Sequence, residues 1–358
     1  MTPLGLRPPK PDAPATPAVV ARLRADRRAR DRRAALTGGV LTAALLGLTT
    51  ASVLLGGVGR LDPADVLPAA FGLRDGLADY TIFQLRMPRA LSALLAGALF
   101  GLAGSLYQRL IRNPLATPDI VGISAGAGAG AATALLYAPA AFALGVPVAA
   151  VIGSFVLVAA VQGLSWRGGV DTYRLVLVGI GLSAVCTAYT NYLFLAADRQ
   201  SLAIALRWTV GTTNDADWDG VTTLAVGFAA CALAALLLAR PLATLTLGDG
   251  FAAGLGTRVT ATRVGVLLVG AAAAALATSV VGPIGFVSLV SGPVAVRLVG
   301  TERSTLLAPA TGAVIVLGAD VLAQHAPLIS PVPTGVLTAL LGAPYFVWLI
   351  LRRRQGAS

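Results

Sequence analysis

Lysine, histidine and cysteine are nearly missing from this 358-residue chain: Lys10 and His325 stand alone, and Cys186 and Cys231 are the only thiols. Each scarcity excludes a class of function. A phosphate-binding loop needs a Gly-rich turn followed by Lys and then Ser or Thr, and Lys10 has no such context. One histidine among scattered acids makes neither a metal-ligand set nor the base of a nucleophilic pair. Both cysteines fall inside apolar runs and read as small buried hydrophobes, with no disulfide or metal framework. Charged residues make up only 12% of the chain and aromatics 6%. The aromatics do not interleave with the arginines as a base-stacking surface requires, so the net charge of +11 does not indicate a nucleic-acid partner.

What the chain has instead is apolar length. Hydrophobic residues reach 56% of the sequence. They fall into runs of about twenty, the length that crosses a bilayer core. The runs predict helices near 34–58, 88–111, 120–138, 146–165, 173–196, 220–239, 263–281, 284–299, 306–323 and 334–351. The expected fold is therefore all-α, a polytopic membrane protein of about ten transmembrane helices. Gly97 and Gly101, then Gly122, Gly126 and Gly130, recur at the four-residue spacing that lets helix backbones approach in lipid.

The basic residues test the count. With both termini inside and the loops alternating, the inner side holds Arg7, Lys10, the seven arginines of 21–33, Arg109, Arg112, Arg167, Arg174, Arg240, Arg258, Arg263, Arg297, Arg303 and Arg352 to Arg354. Only Arg60, Arg74, Arg86, Arg89, Arg199 and Arg207 fall outside, a bias that supports an even number of spans with both ends cytosolic. Residues 1–33 read as a basic cytosolic tail, disordered or helical. It is too long for the basic region of a signal peptide, and the run after it is of spanning length. The transmembrane domain is expected over 34–352, with a cytosolic segment at 240–263 and a short tail at 353–358.

The most informative stretch is Arg86–Gly130, RMPRALSALLAGALFGLAGSLYQRLIRNPLATPDIVGISAGAGAG. Arg86 and Arg89 open an apolar small-residue helix that closes on Arg109, Arg112 and Asn113-Pro114. Pro114 lacks an N–H and pushes Asn113 out of helical geometry, so the helix stops there. A Gly/Ala-rich second helix follows. This hairpin closely resembles the signature of the FecCD-type permeases, the membrane subunits of ABC importers for iron-siderophores, haem and vitamin B12. Further along, Leu245, Leu247, Gly248, Ala252 or Ala253, Leu255 and Gly256 match that family's coupling segment. Gly282-Pro283-Ile284-Gly285-Phe286-Val287, Gly318-Ala319-Asp320, Pro333-Thr334-Gly335 and Leu341-Gly342-Ala343-Pro344 match it in order and spacing. The resemblance covers roughly residues 80–350.

The resemblance implies a type II ABC importer permease in a bacterial inner membrane, most like the ferric-siderophore members. It implies an ABC ATPase dimer that holds ATP and Mg, an extracytoplasmic substrate-binding protein and a second permease subunit, with a heterodimer favoured. This chain itself would bind no cofactor and perform no catalysis. By the same resemblance Arg86 and Arg89 dock the binding protein, Asn113 and Leu115 form a cytoplasmic gate, and Leu247, Gly248, Asp249, Ala253, Leu255 and Gly256 couple to the ATPase through two short helices. Taken from the residues alone, Arg86 and Arg89 also fit interfacial anchors, and the Asn113 turn fits a simple helix stop. The sequence departs from the family at Ser291–Val296, at Val332, and at Gln324, where an arginine often stands.

Asp320 is the clearest ionisable group inside a predicted helix, where insertion scales put the cost at about 2.5–3.5 kcal/mol. It reads as a buried acid hydrogen-bonded to a neighbouring helix, or as a proton-coupling carboxylate. Arg297 reads as a structural or cytosolic-side contact, and His325 as an exposed loop residue. An ion-coupled secondary transporter would need more intramembrane charge than Asp320 offers. An intramembrane enzyme would need a ligand cluster or nucleophile that one histidine does not support.

Overall fold

The computed structural model describes residues 17–56, 68, 77–137, 145–166, 172–300, 304–325 and 332–355. The loops holding Arg60, Arg74, Arg167 and Arg303, and both extreme tails, lie outside these. Among the described residues there is no strand, and the order of helices is α1 (Pro17–Leu55), α2 (Met87–Ile111), α3 (Ile123–Tyr137), α4 (Gly145–Ser165), α5 (Thr172–Leu195), α6 (Arg199–Val210), α7 (Trp218–Leu245), α8 (Asp249–Gly254), α9 (Val259–Val281), α10 (Val287–Val299), α11 (Ser304–His325) and α12 (Thr334–Gln355). Seven are long and apolar enough to cross a membrane, and three shorter apolar helices, α3, α10 and the first part of α12, bring the number to the ten expected.

Two elements differ from the sequence expectation, and the described part of the basic leader takes the helical of its two expected forms: residues 17–33 and the first apolar run form one continuous helix, α1. Arginine and alanine are good helix formers, and no glycine or proline interrupts residues 18–37. A wider π-helical turn at Thr81–Arg86 precedes α2 and joins it to a helical turn at Leu77–Tyr80. The amphipathic α6 falls between predicted spans, and its polar face concealed it from a reading by hydropathy. Asp198 caps it, its carboxylate accepting N–H groups from Ser201 at 3.0 Å and Gln200 at 2.9 Å. Those bonds hold the carboxyl below its ordinary range, because they favour the charged form.

The centre of the bundle is α2. About 83% of its apolar window is buried, against 11% for α1, because α11, α9, α10 and α7 all pack on it. Membrane helices associate through close contact, and here the contact is between backbones. A Cβ at Gly97 would stand 2.5 Å from the carbonyl oxygen of Gly312, and one at Gly101 2.3 Å from that of Ala308. The same device joins α3 to α4, where a Cβ at Gly130 would stand 2.2 Å from the Ala149 oxygen.

Rigid backbone cannot yield as a side chain can. Gly101→Leu is expected to lose more than about 3 kcal/mol of stability, the upper end of overpacking costs, read as a fall in the thermal denaturation midpoint in detergent. Gly39→Ala, on the exposed face of α1 with nothing within 4 Å of the added carbon, is expected to leave the midpoint unchanged or raise it.

Candidate functional site

The two ends of the bundle carry separate polar constructions. At the end where α2 begins, Asp320 of α11 is fully buried. Arg89 meets it with a fork: Nε lies 3.2 and 3.1 Å from the two carboxylate oxygens, and Nη2 2.9 Å from Oδ1. Gln324, one turn on, donates to Oδ2 at 2.6 Å, and Thr334 at the start of α12 donates to Oδ1 at 2.9 Å. Thr213, in the loop after α6, donates to Oδ1 as well. Both carboxylate oxygens therefore have donors in reach, the condition under which a buried carboxylate is tolerated. The reading of Asp320 as a buried hydrogen-bonded acid holds. Gln324, the departure from the family pattern, contributes to the same network.

Arg86 is also buried. Its Nη1 lies 3.0 Å from the carbonyl of Val53 and 3.1 Å from that of Leu54. These belong to the last turn of α1, whose carbonyls have no partner within their own helix. His325 completes the cap: Nε2 lies 2.9 Å from the carbonyl of Leu55 and Nδ1 2.8 Å from that of Val321. His325 is exposed, as expected, but it ends α11 rather than lying in a loop. Arg86 is 4% exposed and Arg89 5%, and both are engaged within the chain. They act here as internal ties between α1, α2 and α11. The π-helical turn before them has its own external tie, since the Trp218 indole donates to the Phe83 carbonyl at 2.9 Å.

At the other end, α2 closes on Arg112, held in the left-handed region at φ 54°. Asn113 N–H reaches back to the Gln108 carbonyl at 3.1 Å, and its side-chain oxygen accepts the N–H of Leu115 at 3.0 Å. Asn113 therefore builds the turn in which Pro114 prevents any helical continuation. Asn113 is exposed and Leu115 half-buried. Arg112 donates to the last carbonyl of α7, at Leu245, and Arg109 to Thr305 at the start of α11. The turn thus sits where α2, α7 and α11 meet. Elsewhere, the Arg297 guanidinium lies over the Trp348 ring at 4.2 Å from its centroid and 5.8 Å from that of Tyr345. That cation–π contact joins α10 to α12.

The 240–263 segment contains one short helix, α8, where two were expected; the second half is the start of α9. Gly248 at φ 109° and Gly256 at φ 81° bracket α8. Any residue with a Cβ strains to adopt such conformations. Asp249 accepts from Arg263 at 2.9 Å through both oxygens. Ala252 is buried, and Ala253 is exposed. Leu247, Phe251 and Leu255, four apart, are 62%, 74% and 65% exposed. Large bare side chains on a short helix and on both of its flanks mark a surface made to be covered. Phe251 was missed by the sequence reading, because the family pattern leaves its position open. Its signal was the spacing from Leu247 and Leu255.

Among the described residues no group of His, Cys, Asp and Glu could hold a metal ion. The model of the FecCD transport family matches residues 44–352. The chain belongs to the FecCD transport family. Its function is that of a transport permease subunit. It is 33% identical over 322 residues to the ferric enterobactin transport system permease FepG of Escherichia coli, covering 89% of this chain and 95% of that one. It is 36% identical over 324 residues to the achromobactin transport system permease CbrC of Dickeya dadantii, covering 89% and 93%. The hemin transport system permease HmuU of Yersinia pestis is 36% identical over 281 residues, covering 77% and 84%. Among solved structures, an inward-facing ABC transporter of metal-chelate type superposes with a TM-score of 0.76 at 28% identity, covering 87% of this chain and 97% of that one.

A FecCD permease whose central helix carries Arg89 depends on Asp320 to neutralise it. Asp320→Ala is expected to cost about 3–5 kcal/mol, the range for stranding a buried charge, seen as loss of folded protein on gel filtration. Arg89→Met combined with Asp320→Leu is expected to recover most of that loss.

Proposed function

We propose that this chain is the permease subunit of an ABC importer for a ferric siderophore, delivered by an extracytoplasmic binding protein and driven by a separate ATPase dimer. The observation that carries the substrate is the agreement of the relatives: the ferric enterobactin and achromobactin permeases match over nearly nine-tenths of this chain. Haem is the second reading, supported by the hemin permease at comparable identity over less of the chain.

The surface supports partners on two sides. Only 17% of the apolar window of α5 is buried, and its exposed face carries Thr187 and Asn191 beside Leu177, Ile180 and Val185. Polar side chains at membrane depth face protein or a water-filled path, not lipid. We assign this face, with the exposed Leu340 and Leu341 of α12, to the second permease subunit and the path between the two, a heterodimer being the favoured arrangement. The Asn113–Leu115 turn then forms the cytoplasmic gate, and the row Leu247, Phe251 and Leu255 is the part the ATPase grips. In this orientation the Arg112 end is cytosolic and both termini are inside. The binding protein docks at the Arg89 end, where the internal ties of Arg86 and Arg89 hold the rim in shape.

Uptake of iron-labelled siderophore in cells lacking this gene, measured beside labelled haem and cobalamin, tests the substrate. Loss of siderophore-iron uptake alone, restored by the intact gene, is the expected result; loss of haem uptake with siderophore uptake intact would replace it. A second expectation concerns coupling. Gly248→Val with Gly256→Val, each strained by about 1–3 kcal/mol at positive φ, should leave ATP hydrolysis by the assembled importer within about twofold while uptake falls more than tenfold. Normal uptake per ATP would remove α8 from the coupling path.

A further inference from the structure

Between the end of α7 and the start of α9 lies an open cleft of about 490 Å³, lined by Leu238, Arg240, Pro241, Leu255, Arg258 and Ala261 among others. Its walls are mostly apolar, yet two arginines line it. Arg240 and Arg258 are both exposed, and neither has an ion-pair partner among the described residues. The third arginine of the segment, Arg263, differs: it is taken by Asp249.

The membrane-facing surface leads directly into this cleft. On α7, Leu233, Leu236 and Leu237 are 60%, 56% and 72% exposed. Arg240 follows them at seven, four and three residues, on the same helical face. Arg258, the residue just before α9, is followed three residues on by the exposed Ala261, which also lines the cleft. Leu238 closes the cleft on its membrane side by lying against Gly265, where an added Cβ would touch it at 3.4 Å. Thr244 and Thr257, hydrogen-bonded at 2.8 Å, tie the two walls together on the other. The result is a mostly apolar cleft with two arginines that have no ion-pair partner among the described residues, next to an exposed leucine face of α7.

We propose that this cleft binds an anionic phospholipid of the cytoplasmic leaflet, its phosphate between Arg240 and Arg258 and its acyl chains along Leu233 and Leu237. The choice of occupant rests on charge and on continuity. A basic pocket between transmembrane helices at the cytoplasmic surface matches a lipid headgroup, and the bare leucine face leading to it matches the tails. The leaflet follows from the orientation argued above; the cleft's position at the end of the spans does not.

The site adjoins α8 where the row of Leu247, Phe251 and Leu255 ends, Leu255 being common to both. Lipid there would brace the α7–α9 junction from which α8 projects, so that headgroup charge sets how stiffly ATPase movement reaches the membrane helices.

The test uses the assembled importer, permeases with ATPase, reconstituted in nanodiscs of equimolar phosphatidylglycerol and phosphatidylcholine, then released into detergent and weighed intact by native mass spectrometry. The wild type should retain phosphatidylglycerol in preference to phosphatidylcholine. Arg240→Gln with Arg258→Gln should lower phosphatidylglycerol retention about tenfold or more, the loss expected from two basic groups near a headgroup. Arg240→Lys with Arg258→Lys should keep most of it, which separates loss of charge from loss of fold. Unchanged retention in the glutamine variant would overturn the proposal. So would loss of the ATPase subunit from the glutamine variant with lipid retention intact, which would give the arginines to a protein partner. Lipid retention is independent of the chelate carried, so a failed siderophore assignment leaves this result standing and the reverse also holds.

Discussion

A carboxylate inside a membrane protein has to be answered, and Asp320 is answered by four other side chains from three separate parts of the chain besides its own helix. The arrangement of the Arg89 end follows from that requirement. Arg89 must point from α2 into α11, which sets the rotation of the central helix. Thr213 must come within reach from the loop after α6, and Thr334 must open α12 at the same depth. Replacing the pair by apolar side chains of similar volume would satisfy the bilayer as well. What the ion pair adds is direction, since a bidentate fork accepts one relative rotation of two helices where an apolar contact accepts many.

The close backbone crossings make this possible. With Gly97 and Gly101 against Gly312 and Ala308, α2 and α11 run at a separation set by carbonyl oxygens. At the far end, Arg109 bonds Thr305 of α11 and Arg112 bonds the last carbonyl of α7. The central helix is therefore fixed at both ends by arginines and along its length by the absence of side chains.

Much of this was legible in the residues. Runs of spanning length pointed to the ten apolar helices because apolar length is the one requirement a bilayer imposes on every span. Pro114 and Asn113 marked the end of α2 because a missing N–H acts locally. The destinations of Arg86 and Arg89 were not legible. Their partners lie 33 and 231 residues away in sequence, and a resemblance to docking residues described their type without saying which way the side chains turn. Gln324 read as a loss when compared with the family pattern, whereas in space it is a donor to Asp320. The α6 helix was invisible to hydropathy because its residues alternate between a protein-facing side and a polar one. Phe251 escaped because a family pattern marks constant positions, while the physical signal was a spacing of four.

The long separation of these partners has a consequence for biosynthesis. A chain is inserted from its N-terminus, so α1 reaches the bilayer with its last carbonyls uncapped; α2 follows and brings Arg86 to Val53 and Leu54, but leaves Leu55 uncapped and Arg89 charged and alone. The groups that complete them, His325 and Asp320, are made some 270 and 231 residues later. Until then the nascent first hairpin must keep the Arg89 end at the water interface or within the insertion machinery. The last spans made are thus the ones that license the first to settle, and a truncation that removes α11 would strand the N-terminal helices partly inserted rather than merely shorten the protein.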